Sequence, residues 1–120
     1  MKDFHKLKVW EKAHKLTLSV YLFTHDFPKD ELYGLTSQMR RSSASIPTNI
    51  SEGCGRDSKT ETIHFFNIAM GSSSELEYQL ILAHDLKYLD DKSCNDLSAA
   101  LIEVRQMLYA FAQKLKTDIE

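Results

Sequence analysis

The chain has 120 residues, of which 42% are hydrophobic and 27% are charged, and its formal net charge is −2. These proportions are typical of a globular protein and exclude a disordered one, and the length suits one domain over residues 1–120. Because the net charge is close to zero, phosphate recognition would require a local basic patch rather than overall attraction.

No apolar run approaches the roughly 20 residues that span a bilayer, and the N-terminal segment lacks the apolar stretch of a signal peptide. Cys54 and Cys94 lie far apart in the chain and form no CxxC pair. We therefore predict a cytoplasmic protein with no membrane partner and with free cysteines.

The first predicted helix covers residues 7–26 and ends near Pro28, because the residue before a proline is pushed out of the α region. Its apolar residues point in too many directions for one neighbouring helix to cover. Either the helix is central to the bundle or its outer face meets another subunit, and we favour the second interpretation. One seam along the helix is traced by Leu7, Trp10, His14, Thr17, Tyr21 and Thr24, and the apolar residues on its other sides are Val9, Leu16, Leu18, Val20, Leu22 and Phe23.

The second predicted helix covers residues 31–54 and carries two stripes, because residues three and four positions apart share a helix face. Pro47 removes one backbone hydrogen bond within this helix, and the Ser45 and Thr48 hydroxyls are the predicted replacement donors. The mostly apolar stripe is Leu35, Met39, Ser43, Ile46, Ile50 and Cys54, and the polar stripe is Gln38, Arg41, Ser45, Asn49, Glu52 and Arg56.

The third predicted helix covers residues 58–88 and opens with a capping box formed by Ser58 and Glu61. The run Gly71-Ser72-Ser73-Ser74 in its middle has the composition of a linker. The core spacing nevertheless keeps its phase across the run, so we predict one helix with small residues that allow close helix approach. A break into two helices is the alternative.

The fourth predicted helix covers residues 91–117 and begins with the capping residues Asp90 and Asp91. No strand-like alternation occurs anywhere in the chain. Four amphipathic helices joined by short loops predict an all-α fold, an antiparallel up-down-up-down four-helix bundle.

The sequence contains no recognisable catalytic or metal-binding motif. Its histidines and cysteines lack zinc-site spacing, and there is no glycine-rich phosphate loop and no GxSxG turn. We therefore predict a protein that is not an enzyme and that has no cofactor and no bound metal. A Cys54 nucleophile with a histidine base is the enzymatic alternative, and no motif supports it.

The candidate binding surface combines the polar stripe of the second helix with acidic residues of the third. Glu75 meets Arg40 or Arg41 if the two helices pack antiparallel, and we favour an ion pair that fixes their register. In a second interpretation the arginines line a groove for an anionic partner, and in a third they serve an inter-subunit contact. The candidate residues are Gln38, Arg40, Arg41, Ser45, Asn49, Glu52, Arg56 and Glu75.

Residues 1–15 form a second candidate binding surface, which is basic because it has five lysines and two acidic residues. Phe4 and Trp10 lie among these lysines, and an aromatic ring can stack on an unpaired RNA base. We favour the simpler interpretation, in which Trp10 is buried and the lysines face water.

Two long motifs of the chain resemble the bacterial four-helix-bundle proteins encoded within intervening sequences of the 23S ribosomal RNA gene. The resemblance covers nearly the whole chain, including the segments 4–10, 27–28 and 69–76. The motifs are Leu35-Thr36-x-Gln38-x-Arg40-Arg41 and Ser45-Ile46-Pro47-x-Asn49-Ile50-x-Glu52-Gly53.

The resemblance implies an antiparallel four-helix bundle that assembles as a homopentamer, which agrees with the surplus apolar surface of the first helix. Together with the apolar faces of the first helix and the polar stripe through Asn49, it favours a non-enzymatic binding or scaffold role toward RNA or a partner protein. A related branch of the family contains the accessory proteins of diversity-generating retroelements, which bind nucleic acid and partner a reverse transcriptase. The alternative function is therefore an accessory subunit of such a nucleic-acid enzyme.

Overall fold

The computed structural model describes residues 3–119 as four long helices and two short 3-10 helices. These residues contain no strand, so the predicted all-α class is confirmed. Residues 1, 2 and 120 of the predicted 1–120 domain lie outside the described range. The long helices are α1 (Lys8–Thr24), α2 (Leu35–Cys54), α3 (Lys59–Asp85) and α4 (Asp91–Ile119), and the 3-10 helices are Phe4–Lys6 and Lys29–Glu31.

The start of α2 differs most from the prediction. The helix begins at Leu35 rather than at residue 31, because Lys29–Glu31 forms its own 3-10 turn. Gly34 then separates the two elements with a non-helical backbone, at φ −115° and ψ −117°. The Glu31 side chain spans this junction by accepting a hydrogen bond from the Leu35 amide at 3.2 Å.

α3 ends at Asp85, earlier than the predicted residue 88, because Lys87 adopts the left-handed conformation with φ 66°. The Tyr88 amide donates to the Ala83 carbonyl and the Lys87 amide to the His84 carbonyl, each at 2.9 Å. This pair of bonds is the Schellman arrangement, which closes a helix by satisfying its last carbonyls.

The buried face of α1 differs from the predicted seam. His14 and Tyr21 of that seam are exposed, and only its two threonines are buried. The core side is formed by apolar residues that the prediction placed elsewhere, because a helix with apolar residues in all directions offers several faces of similar spacing. The buried residues of α1 are Val9, Ala13, Leu16, Thr17, Val20 and Thr24.

The core stripes of the other helices follow the predicted spacing. All six members of the α2 stripe are buried. The seams that helical spacing predicts for the third and fourth helices are buried too, except for the half-buried Met70 and Phe111. These seams are Ile63, Phe66, Met70, Ser73, Leu76, Leu80 and Ala83 in α3 and Leu97, Leu101, Val104, Leu108, Phe111 and Leu115 in α4. The side chain of Phe66 is fully buried and meets the Phe111 ring edge-on at 5.3 Å.

Each long helix packs against its neighbours in the chain, and α1 also packs against α4. The contacts between α2 and α3 occur in opposite order along the two helices. The Thr62 hydroxyl donates to the Gly53 carbonyl at one end, and Ser42 donates to Gln79 toward the other. The apolar core therefore lies in the space that the four helices enclose.

Pro47 lies inside α2 and has no N–H, so the Ser43 carbonyl loses its usual helical donor. The Thr17 hydroxyl on α1 replaces that donor, at 2.9 Å from the Ser43 carbonyl. The predicted donors do not take this role, since the Ser45 hydroxyl faces α3 and Thr48 is exposed. A proline within α2 is thus accommodated by a side chain of α1.

The serine-rich run does not interrupt α3, as predicted. The predicted role of Gly71 is wrong, however, because it is exposed and an added Cβ would meet nothing within 4 Å. Ser73 is fully buried, and the Ser72 hydroxyl meets that of Ser45 on α2 at 2.7 Å. The small residues at the helix interfaces are therefore the serines.

Side chains cap the starts of α3 and α4 at the predicted positions. Ser58 accepts the Glu61 amide at 3.1 Å, and Asp90 accepts the Ser93 amide at 2.7 Å. The bonds to Ser93 hold the pKa of Asp90 below its usual value. Because the ionised carboxylate makes these bonds, the contribution of the cap to the stability of the fold is fully present at pH values above the unfolded-state pKa of Asp90. It is lost as the pH falls through the lowered folded-state pKa.

Candidate interaction surfaces

Ser45 and Asn49, at the centre of the predicted polar stripe, are half-buried on α2. The Asn49 side-chain amide donates to the Ser45 carbonyl at 2.8 Å and to its hydroxyl at 3.0 Å. The Ser45 hydroxyl in turn meets Ser72. The Ser45 hydroxyl therefore joins α2 to α3, and the Asn49 amide is used within α2.

A second polar pair in the same interface, Ser42 with Gln79, was not predicted. Both residues are buried, and the Ser42 hydroxyl donates to the Gln79 side-chain oxygen at 2.6 Å. The feature of the sequence that could have indicated this pair is Gln79 itself, a polar residue next to Leu80 at the edge of an otherwise apolar seam. A buried hydrogen-bonded pair of this kind makes one helix register preferable, since a shifted register would leave both groups unpaired.

Arg40 turns toward α1 rather than toward α3. Its Nε atom donates to the Thr24 hydroxyl at 3.0 Å, and its guanidinium lies 4.8 Å from the centroid of the Tyr21 ring. The Tyr21 carbonyl accepts a longer bond from the same guanidinium at 3.5 Å. Arg40 therefore joins α2 to the C-terminal end of α1.

The predicted ion pair with Glu75 is not formed by either arginine. Arg41 and Glu75 are both exposed, and neither has an ion pair or a side-chain hydrogen bond within residues 3–119. Water solvates both charges in such positions, so a direct pair would contribute little free energy. The register between α2 and α3 is instead fixed by neutral side chains.

The least exposed arginine in an inter-helix ion pair among residues 3–119 is Arg105 of α4, which helical spacing did not predict. Its side chain, 26% exposed, pairs with Glu77 of α3 at 3.0 Å. The same guanidinium donates to the Ser73 hydroxyl and carbonyl, both at 3.1 Å. The available signal was the small polar Ser73 in an apolar seam, which leaves room for a long side chain from the neighbouring helix.

The last two members of the stripe lie at the far end of α2. Arg56 pairs with Glu52 at 3.3 Å, and its guanidinium lies 4.6 Å from the centroid of the Phe65 ring. The helix spans about 20 Å from Arg41 to its end at Cys54, at about 1.5 Å per residue, and Arg56 lies just beyond that end. The eight candidate residues therefore do not form one site, since those at the two ends of α2 face different surroundings.

Gln38 and Arg41 are exposed at the start of α2, close to the α1–α2 connection. Arg41 lines an open recess of about 470 Å³ together with Tyr33 and Ser37. Tyr33 is 93% exposed, so its ring is free to stack on a partner. We name Tyr33, Ser37 and Arg41 the arginine–tyrosine corner.

The outward side of α1 exposes large apolar side chains. Leu18 is 55% exposed, Tyr21 46% and Leu22 71%. Leu18 and Leu22 are one turn apart and share a face, and Tyr21 lies beside them. We name these three residues the α1 outer strip.

The aromatic residues near the N-terminus pack on one another. The rings of Trp10 and His14 stack at 5.2 Å with an angle of 7°, and Phe4 meets Trp10 edge-on at 5.0 Å. Trp10 is half-buried rather than buried. One face of its ring is thus already occupied, which leaves less of it for a nucleic-acid base.

Residues 3–119 contain no group of three or more histidine, cysteine, aspartate or glutamate side chains placed to hold a metal ion. Over the same residues, none of the helices has the length and apolar character required to cross a membrane. Neither Cys54 nor Cys94 forms a disulfide bond with another residue of this range.

The sequence model of the family described as 23S rRNA-intervening sequence protein matches residues 5–110, which confirms the predicted resemblance. A similar solved structure is that of a protein of unknown function from the S23 ribosomal protein family of Bacteroides thetaiotaomicron. It has a TM-score of 0.78 and 23% identity, and the match covers 87% of this chain and 97% of the other. That likeness bears on the fold alone. A comparison with curated proteins yields no match.

Proposed function

Because the chain belongs to the 23S rRNA-intervening sequence protein family, we propose that it is a non-enzymatic, cytoplasmic scaffold that assembles from several copies of itself. Its helices would form an up-down-up-down bundle, which the opposite order of contacts along α2 and α3 supports. Five copies are expected from the resemblance described above. The observation that carries the proposal is the exposed α1 outer strip.

The α1 outer strip has the chemistry of an interface between protein subunits. Leucine and tyrosine side chains exposed together on one helix face are typical of interaction sites rather than of free surface. The partner we propose is a second copy of this chain. A formal net charge of −2 leaves little repulsion to oppose association of identical copies.

The Leu18→Glu/Leu22→Glu double variant is expected to dissociate the assembly into folded monomers. Each glutamate would bring a charge into an apolar contact, which is costly unless the charge is paired. The mass measured by sedimentation equilibrium should fall from that of an oligomer to that of one chain, while the circular dichroism spectrum stays helical.

Tyr78→Glu is the matched control, because Tyr78 is an exposed apolar residue on α3 outside the α1 outer strip. Its mass should equal that of the unsubstituted oligomer. The proposal fails if the unsubstituted protein is a monomer at micromolar concentration. It also fails if only Tyr78→Glu dissociates the assembly.

RNA binding is a second candidate function, favoured by the arginine–tyrosine corner. Arg41 has a guanidinium that pairs with no acidic group among residues 3–119, and Tyr33 beside it offers an exposed ring. An arginine contacts phosphate and a tyrosine stacks on an unpaired base in many RNA sites. The retroelement role stays a prediction from the resemblance, since no described residue favours it specifically.

Arg41→Gln is expected to weaken binding of a labelled RNA stem-loop. The logarithm of the binding constant falls with the logarithm of the salt concentration, and the magnitude of that slope should decrease by about one. Arg56→Gln removes the same charge at the other end of α2 and should leave the slope nearly unchanged. Binding is measured by fluorescence anisotropy at several salt concentrations. Equal effects of the two substitutions, or no binding at low salt, would exclude this site.

A further inference from the structure

A second recess lies at the opposite end of the bundle, where the end of α2, the start of α3 and the last turns of α4 meet. It has a volume of about 200 Å³ and is lined mostly by apolar surface. Cys54, Phe66, Phe111 and Leu115 supply its apolar wall. A more open groove shares Phe111 and Leu115 with it and continues along α4.

The size and lining of this recess restrict what it can hold. Engineered cavities of about 150 Å³ lined by similar side chains bind benzene, so this recess has room for one aromatic ring. The Thr62 hydroxyl in its wall donates to the Gly53 and Ser58 carbonyls, at 2.8 and 3.1 Å. Because that donor is already used within the chain and the wall is mostly apolar, the recess favours a ligand whose inserted part is apolar.

The rim of the recess carries two basic residues, Arg56 and Lys59, against one acidic residue, Asp57. Arg56 pairs with Glu52 at 3.3 Å and Lys59 with Asp118 at 3.6 Å. All four of these side chains are roughly half exposed, and exposed pairs contribute little free energy. An arriving anion can therefore compete for either cation.

We propose that this recess binds a small amphiphilic anion, an aryl or short alkyl carboxylate. The apolar body occupies the space against Phe111 and Leu115, and the carboxylate lies at the rim between Arg56 and Lys59. The apolar body of the ligand displaces water from an apolar wall, which favours binding. The carboxylate stays in contact with water at the rim, so the cost of burying a charge is avoided. The site is independent of the α1 outer strip.

The test compares 3-phenylpropanoate with the neutral 3-phenylpropan-1-ol by saturation-transfer NMR, which follows the ligand whatever the size of the assembly. We expect the acid to bind and the alcohol to bind about fivefold more weakly, as the loss of one exposed charge contact predicts. Arg56→Gln should weaken binding of the acid by the same factor. Lys116→Gln, an exposed charge on α4 outside the recess, should leave the dissociation constant unchanged.

Leu115→Trp fills the recess and should abolish binding of both ligands. If that variant does not fold, the Arg56→Gln/Lys59→Gln double variant takes its place, because both residues are exposed and tolerate substitution. In this double variant the acid should bind no more tightly than the alcohol. The Leu18→Glu/Leu22→Glu variant should bind the acid normally, which separates this site from the proposed assembly. Equal binding of acid and alcohol, no binding of either, or undiminished binding by folded Leu115→Trp overturns the proposal.

Discussion

Thr17→Val is expected to lower the free energy of unfolding by about 1–3 kcal/mol, the cost of leaving a buried carbonyl without a donor. Valine keeps the shape of threonine but lacks the hydroxyl that donates to the Ser43 carbonyl. Thr17 is only 9% exposed, so water cannot readily replace that donor. Urea unfolding followed by circular dichroism measures the change, at one fixed protein concentration because assembly would add to the stability.

The cause of this effect is separated from ordinary side-chain packing by a double-mutant cycle with Pro47→Ala. An alanine at position 47 restores a backbone N–H that can donate to the Ser43 carbonyl. Thr17→Val should therefore cost clearly less in the Pro47→Ala background than in the unsubstituted protein. Equal costs in the two backgrounds would show that Thr17 acts through packing alone.

Thr48→Val provides the matched control, because Thr48 is exposed and next to Pro47 in the same helix. It tests the donor that the sequence predicted, and we expect a change within about 0.5 kcal/mol. A loss as large as that of Thr17→Val would mean that the Thr48 hydroxyl, and not a contact from α1, compensates for the proline.

Helical spacing was sufficient to predict the parts of the fold that depend on one helix at a time. The stripe from Leu35 to Cys54 is buried as predicted, because α2 has one apolar direction and the spacing specifies it. The same argument failed for α1, where Leu18 and Leu22 are as apolar as the buried Val9 and Leu16. Composition does not identify which face of such a helix meets the core.

Contacts between helices were predicted poorly, because they depend on how far each helix is rotated about its axis. Arg40 and Arg41 are adjacent in sequence, yet Arg40 contacts α1 and Arg41 faces solvent. The donor for the Ser43 carbonyl comes from Thr17, which is distant in the chain. Arg105 likewise contacts α3 because of how α4 is rotated about its axis. No local pattern specifies such partners, whereas the fold class requires only the count and length of helices.

Gly53→Leu and Gly71→Leu are expected to change stability in opposite directions, although both glycines are helical. An added Cβ at Gly53 would lie 3.1 Å from the Phe66 ring and 3.1 Å from the Thr62 carbonyl oxygen. Both neighbours are held in place, since Phe66 is fully buried and Thr62 belongs to the first turn of α3. Overpacking of this kind typically costs about 1–3 kcal/mol, more than the roughly 1 kcal/mol gained by removing a helical glycine.

At Gly71 the substitution gains the stability of removing a helical glycine without the cost of overpacking, because the position is exposed and an added Cβ would meet nothing within 4 Å. We expect the free energy of unfolding to rise by several tenths of a kcal/mol, up to about 1. Thermal unfolding of the two variants at equal concentration measures both effects. A loss of stability for Gly71→Leu would mean that this face of α3 is covered in the assembled protein. A gain for Gly53→Leu would mean that α2 and α3 can separate at this end without loss of packing.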